Sequence, residues 1–130
     1  MSVTMRGHAE VMAKFRRLEQ GLSPGGMMST VDSAAKYVHS QVPPYPAPPV
    51  NSRYRRTGTL GREIYDRVRS LGSAIVGVVG SPTVYALHVI WRHTQAWMHR
   101  GRWWTLQDVL EKSRDGVVRI FEDAIRRLVK

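Results

Sequence analysis

The chain has 130 residues and a mass of 14.8 kDa, which suits one domain and leaves no room for a two-domain enzyme. It contains no cysteine, so disulfides, zinc–thiolate centres, iron–sulfur clusters and thiol nucleophiles are excluded. The net charge of +10 favours a polyanionic neighbour. The longest apolar run, 74–79, is far shorter than the roughly 20 residues of a membrane span, and the first residues lack the apolar core of a signal peptide. We therefore expect neither a membrane partner nor a cleaved leader.

Two helices are predicted in 1–41, the N-terminal part of the chain. Over 3–20 and again over 27–41, apolar residues recur at spacings of three and four. The sequence GLSPGG at 21–26 predicts a break between these helices, because glycine and proline both interrupt helical patterns. Ser29 or Thr30 is the predicted N-cap of the second helix.

A proline-rich linker is predicted at 42–52. Five of the seven residues in 43–49 are proline, which excludes a helix or a central strand because backbone donors are missing and φ is fixed. We expect an extended, stiff spacer. The P-x-x-P spacings also resemble those of SH3-type ligands, although a spacer explains the composition without a partner.

A small antiparallel sheet of about three to four strands, followed by a loop, is predicted within 53–104. The segments 62–71 and 73–79 have the composition of two strands joined by a tight turn at Gly72 and Ser73. The apolar segment 84–91 predicts either a further strand or a short helix.

Glycines near the start of this sheet predict a structural hinge. Gly58 and Gly61 bracket Thr59 and Leu60, where we expect a positive φ or a close backbone approach.

The C-terminal segment 105–130 carries the strongest helical pattern. Thr105 and Asp108 form a capping-box-like start. Gly116 in the middle indicates a kink. One stripe is predicted to face the core, and it comprises Leu106, Val109, Leu110, Ser113, Val117, Phe121, Ala124, Ile125 and Leu128.

The order of these elements predicts one α+β domain over 1–130. In it, N-terminal helices precede a small antiparallel sheet, and the long C-terminal helix packs on that sheet.

The sequence contains no recognisable motif for catalysis, cofactor binding or metal binding. There is no nucleophile elbow, and the glycines at 77 and 80 lie in an apolar strand without the lysine of a phosphate loop. The five histidines are scattered rather than paired at metal-ligand spacing. We therefore expect a protein that is not an enzyme and that binds no cofactor and no metal.

Arginines form the densest charged cluster at Arg53, Arg55 and Arg56, beside Tyr54. These side chains are candidates for facing DNA phosphates, and a solvated face is the alternative interpretation.

All four tryptophans lie within 91–104, together with arginines and without an acidic residue. Tryptophan and arginine are enriched at the centres of protein interfaces, and aromatic rings can also stack on single-stranded bases. Trp91 and one of Trp103 and Trp104 could instead belong to the core. Trp97, and to a lesser degree Met98 and His99, are expected to project from the fold and to pack against a neighbouring subunit or partner. The predicted subunit or partner interface comprises Trp91, Trp97, Met98, His99, Arg100, Arg102 and Trp103.

The order of several short motifs resembles a known family. A proline-rich stretch leads into S-x-Y-x-R-T-G-x-L; V-G, Y-A and Q-A-x-x-H-x-G-R-W then follow, before the closing helix. Their residues are Ser52, Tyr54, Arg56, Thr57, Gly58, Leu60, Val79, Gly80, Tyr85, Ala86, Gln95, Ala96, His99, Gly101, Arg102 and Trp103. This pattern is similar to the small neck and tail-completion proteins, or minor tail components, of long-tailed bacteriophages.

The resemblance implies a structural virion protein that forms a ring in the phage neck. The ring, a hexamer or dodecamer with the hexamer favoured, would join the head-side connector to the tail-tube or tail-terminator proteins and surround the DNA passage. It implies assembly in the host cytoplasm and non-specific contact with packaged DNA. A small nucleic-acid-binding protein acting through Arg53, Arg55 and Arg56 is the alternative.

Overall fold

The computed structural model describes residues 7–46, 59–83 and 85–130. In chain order, the helices and strands of these residues are α1 (His8–Leu22), α2 (Pro24–Ser40), α3 (Thr59–Glu63), β1 (Tyr65–Leu71), β2 (Ala74–Gly80), α4 (Ala86–Val89) and α5 (Leu106–Val129). The predicted α+β class is confirmed, with a long C-terminal helix alongside an antiparallel sheet.

The break between the first two helices is a single residue rather than the six predicted at 21–26. Ser23 alone is non-helical, and its hydroxyl accepts a hydrogen bond from the N–H of Gly26 at 3.2 Å. Pro24 occupies the first helical position, where its missing N–H and its fixed φ are tolerated. The N-cap of α2 is therefore Ser23, and the predicted caps at Ser29 and Thr30 were wrong.

The sheet described here has two strands, not three or four. β1 and β2 pair antiparallel from Tyr65 opposite Gly80 to Leu71 opposite Ala74. The predicted turn at Gly72 and Ser73 is confirmed, and Gly72 has the positive φ of 67° that favours glycine there. The segment expected as a further strand or a short helix contains α4, so it adds no strand.

Helix α2 is the centre of the domain. Its buried stripe consists of Val31, Ala34, Ala35 and Val38. The hairpin packs closely on this stripe, because a Cβ added at Gly77 would lie 3.2 Å from Val31 and 3.3 Å from Ala35.

One polar contact also joins α2 to the hairpin. The His39 Nδ1 lies 2.7 Å from a carboxylate oxygen of Asp66 on β1, and both side chains are half-buried.

Helix α5 also packs against α2. The predicted capping box is confirmed: Asp108 donates its N–H to the Thr105 hydroxyl, and its carboxylate accepts from the Thr105 N–H, each at 3.1 Å. Gly116 lies in a continuous helix, and its missing side chain makes room for the ring of Tyr37. Gly116 therefore allows a close contact between α2 and α5 at the position where a kink was predicted.

The predicted core stripe of α5 is only partly buried. Val109, Ser113 and Ala124 are buried, whereas Leu110 and Ile125 are 58% and 42% exposed.

A second hydrophobic cluster joins α3 to the α4 region. It is formed by Leu60, Ala86 and Ile90 from α3 and the α4 region. Gly61 lies inside α3, so the expected hinge at this position is corrected to a helical turn.

Candidate functional site

The segment between α4 and α5, residues 91–104, is called here the tryptophan loop. Its ends are fixed by backbone hydrogen bonds: Ala96 donates its N–H to the His88 carbonyl at 2.8 Å, and Leu106 donates to the Ile90 carbonyl at 2.9 Å. Trp103 closes the loop internally by donating its N–H to the His99 carbonyl at 2.8 Å. The loop therefore has a defined conformation although it contains little regular secondary structure.

Gln95 is the internal brace of this loop. Its side chain is buried, and its amide donates to the carbonyls of Val89 at 2.6 Å and of Trp103 at 3.3 Å. One side chain thus ties the start of the loop to its end and satisfies two backbone acceptors. The sequence motif includes Gln95, but its bracing role depends on carbonyl groups that the sequence does not bring together.

Arg92 links the loop to the first turns of α5. Its guanidinium lies 3.0 Å from a carboxylate oxygen of Glu111 and 2.8 Å from one of Asp108. The hydrogen bond to Glu111 raises the pKa of Arg92 above its ordinary value, and the hydrogen bond to Asp108 adds to this effect.

Asp108 also belongs to the helix cap. Hydrogen bonding from Thr105, through its hydroxyl first and then its backbone N–H, lowers the pKa of the Asp108 carboxyl, and Arg92 adds to this effect. The loop is therefore anchored on a carboxylate that stays charged down to acidic pH.

Trp103 packs against other aromatic side chains of the same chain. Its ring lies 5.1 Å from that of Tyr45, 6.0 Å from His99 and 6.2 Å from Trp104. Trp103 and Trp104 are both half-buried and pack on the second hydrophobic cluster. One of these two tryptophans was expected in the core, and both contribute to it. His99 is half-buried beside them.

Trp97 and Met98 form the projecting part of the tryptophan loop. They lie on a single 3-10 turn, Trp97–His99, and are 79% and 51% exposed. The turn is followed by Gly101, whose φ of 76° is readily adopted only by glycine. Of the residues predicted to project, these two do so.

Arginines of the tryptophan loop form a basic rim next to Trp97 and Met98. Arg100 and Arg102 are exposed on the same loop, and the Arg100 Nε donates to the Gln95 carbonyl at 3.3 Å. No acidic residue occurs in the sequence between Asp66 and Asp108, so this surface is positively charged. Trp91 lies apart from it, 41% exposed at one end of an apolar cavity bounded by α2, β2 and α5.

Several predicted site residues lie outside the described part of the chain. These are Arg53, Arg55, Arg56 and Gly58. A second basic surface is visible on the hairpin instead: Arg67 and Arg69 are exposed on β1, and the Arg67 guanidinium lies 4.4 Å from the centre of the Tyr65 ring. Both alternate along β1 with Asp66, which faces α2.

The described ranges 7–46, 59–83 and 85–130 also bear on metal binding and on membrane insertion. Over these ranges, no group of three or more His, Cys, Asp or Glu side chains is placed to hold a metal ion. None of the helices described there combines the length and the apolar character needed to cross a membrane.

Comparison of the chain with protein-family models, curated proteins and solved structures found no significant match.

Proposed function

We propose that this protein is a structural subunit that assembles into a ring in the neck of a long-tailed bacteriophage. The ring joins the head-side connector to the tail-tube or tail-terminator proteins and surrounds the DNA passage. The order of sequence motifs supports this family, and the exposed tryptophan loop supports the role of an assembly subunit. The protein acts by binding its neighbours and needs no catalytic group.

The observation that carries this proposal is the exposure of Trp97 on a braced loop. A tryptophan that is 79% exposed, next to a half-exposed methionine, presents apolar surface to water. Gln95 and Arg92 hold the loop in place, so little conformational entropy remains to be lost when a partner packs against it. Rigid aromatic anchors beside arginines are typical of interface hot spots.

The charge distribution supports a place next to DNA. The net charge is +10, and Arg67 and Arg69 add a basic face on the hairpin to the basic rim of the tryptophan loop. Such surfaces bind phosphates through counterion release without reading sequence. A DNA passage lined in this way would hold the duplex without fixing its position.

Replacing Trp97 with alanine tests the proposal. Because the side chain is largely exposed, we expect Trp97→Ala to leave the melting temperature unchanged and to weaken assembly by roughly 30-fold or more, the equivalent of at least about 2 kcal/mol for a hot-spot residue. Thermal melting and mass photometry on the same sample measure both effects. Leu71→Ala is the matched control, since Leu71 is 62% exposed at the hairpin turn, away from the loop.

Two outcomes contradict this assignment. Unfolding of Trp97→Ala would place Trp97 in the core. Assembly equal to that of the parent would remove Trp97 from the interface.

A nucleic-acid-binding protein is the second candidate, and the basic hairpin face favours it. In that case the monomer would bind duplex DNA with an affinity that falls steeply with salt. A ring subunit would bind DNA strongly only once assembled, because assembly brings many weak basic faces together.

A further inference from the structure

Helix α1 projects from the domain as an arm. Every side chain from Ala9 to Arg17 is exposed, and only its last turn rests on the body, where Leu18 and Gly21 are half-buried. Gly21 allows this contact, because any Cβ there would overlap the side chain of Leu128 on α5. An isolated helix shorter than about 12–15 residues is marginal in water, so most of this arm needs another surface to pack on.

The arm carries an unpartnered apolar face. Val11, Phe15, Leu18 and Leu22 recur at helical spacing and form one stripe, with Met12 beside it. Phe15 is 60% exposed, and Val11, Met12 and Leu22 are between 40% and 49% exposed. A contiguous apolar face of this kind on an exposed helix indicates a binding surface.

A groove lined by apolar side chains lies between other elements of the domain. It is a cavity of about 530 Å³ between β2 and α5, with α2 as its floor. Its lining is almost entirely apolar, with Gln107 as the polar exception. The α5 wall runs from Leu106 to Phe121, which at 1.5 Å per residue is about 22 Å, the same length as the 15-residue arm.

The arm does not reach the groove of its own chain in this structure. Its anchor at Leu128 lies about 10 Å of helix rise beyond Phe121, the end of the α5 wall. From that anchor the arm continues with its apolar face uncovered, while the groove walls also remain uncovered at Leu110. The same chain thus presents both halves of an apolar contact on separate surfaces.

Charged residues lie near both surfaces. On α1, Lys14 and Glu19 flank the apolar stripe on its two sides, whereas Arg16 and Arg17 lie toward the opposite face. On α5, the exposed Arg114 lies nearest the groove-lining stripe, and Glu111, which pairs with Arg92, lies beyond it with Asp115 and Glu122. A second copy of the chain offers, in α1, an uncovered apolar helix face of the same length as the groove wall.

We propose that the α1 arm of one subunit lies in the groove between β2 and α5 of the next copy. Such a contact joins two different surfaces, so it is head-to-tail and closes into a ring when the rotation between copies allows. This inference rests on the proposed ring and names the contact that would build it. It assigns the anchor role to Phe15, with Val11 and Met12 on either side.

The absence of cysteine makes a clean crosslinking test possible. Phe15→Cys and Leu110→Cys are placed in separate chains, mixed, and mildly oxidised; each chain then has one thiol, so any 15–110 bridge joins two molecules. We expect this bridge on a non-reducing gel and in peptide mass spectra. The matched control is Arg17→Cys mixed with Leu110→Cys, because Arg17 lies on the opposite face of the arm, and we expect that bridge to be lost.

A charge substitution gives the second measurement. Phe15→Glu is expected to abolish assembly with an unchanged melting temperature. Gln20→Glu adds the same charge on the far face of α1 and is expected to assemble like the parent.

The outcomes separate this contact from the ring itself. If the parent assembles but no 15–110 bridge forms and Phe15→Glu still assembles, the arm contact is overturned while the ring proposal stands. If the parent is a monomer at every concentration in mass photometry, both are overturned. If a chain carrying both cysteines closes on itself as a monomer, the arm occupies its own groove and the contact between copies is overturned.

Discussion

Two adjacent glycines at the start of α2 have different surroundings. A Cβ added at Gly26 would overlap the backbone carbonyls of Gln20 and Gly21, whereas a Cβ added at Gly25 would meet nothing within 4 Å. The one-residue corner between α1 and α2 therefore depends on Gly26. Backbone atoms cannot turn aside as a side chain can, so the corner would have to open.

This contrast predicts opposite effects of the same substitution. Gly26→Ala should lower the free energy of unfolding by about 1–3 kcal/mol through overpacking. Gly25→Ala should leave it unchanged or raise it by up to about 1 kcal/mol, because alanine is the better helix former. Urea denaturation of the two variants checks this, and equal effects would show that the corner is not tightly packed.

A pH dependence is predicted at Asp108. Because its pKa is lowered in the folded chain, its charge stabilises the fold above the unfolded pKa of about 3.9, and this contribution is lost as the pH falls through the folded pKa. Asp108→Asn should therefore be less stable than the parent at pH 7, by about 0.3–1 kcal/mol for a charge at a helix N-terminus. The two proteins should converge at a pH below the folded pKa of Asp108. A difference that persists unchanged at that pH would assign the effect to packing rather than to charge.

The helices and strands differ in how far local sequence determines them. The start of α5 was predictable because Thr105 and Asp108 satisfy each other within one turn. The predicted break at 21–26 is too long. Proline is tolerated at the first position of a helix, so α2 begins at Pro24, directly after Ser23. The sequence of segment 84–91 does not distinguish a strand from a helix, because a short apolar run shows no hydrophobic periodicity. Its helical conformation depends on tertiary packing around the buried Ile90.

The candidate site was predictable only in part, for the same reason. The composition of the tryptophan loop indicates an interface, and the exposure of Trp97 agrees with the expected projection. The aromatic packing of Trp103 depends on Tyr45, a distant residue, and the groove exists only when β2 and α5 are placed beside α2. No local pattern contains that information.

The packing of the α4 region yields a prediction at the level of the element. Ile90 is 1% exposed in the second hydrophobic cluster, whereas Leu87, three residues earlier, is 53% exposed. Ile90→Ala should lower the free energy of unfolding by about 2–5 kcal/mol. Leu87→Ala, which removes a side chain of similar size, should change it by less than about 0.5 kcal/mol. Similar losses in thermal or urea denaturation would place Leu87 in the core as well.

The whole molecule combines a packed centre with surfaces that the single chain leaves uncovered. α2 holds the hairpin and α5 together, while the arm, the groove and Trp97 all expose apolar side chains. Monomeric proteins rarely expose several such surfaces at once. Their positions on different parts of one small domain are those expected of a subunit with neighbours on more than one side.

Electron microscopy of the purified 130-residue chain is the most direct test of the proposed ring. At micromolar concentration and moderate salt, we expect class averages of closed rings with one rotational symmetry and an axial opening wide enough for duplex DNA. Particles of monomer size alone, across the whole accessible range of concentration, would contradict it.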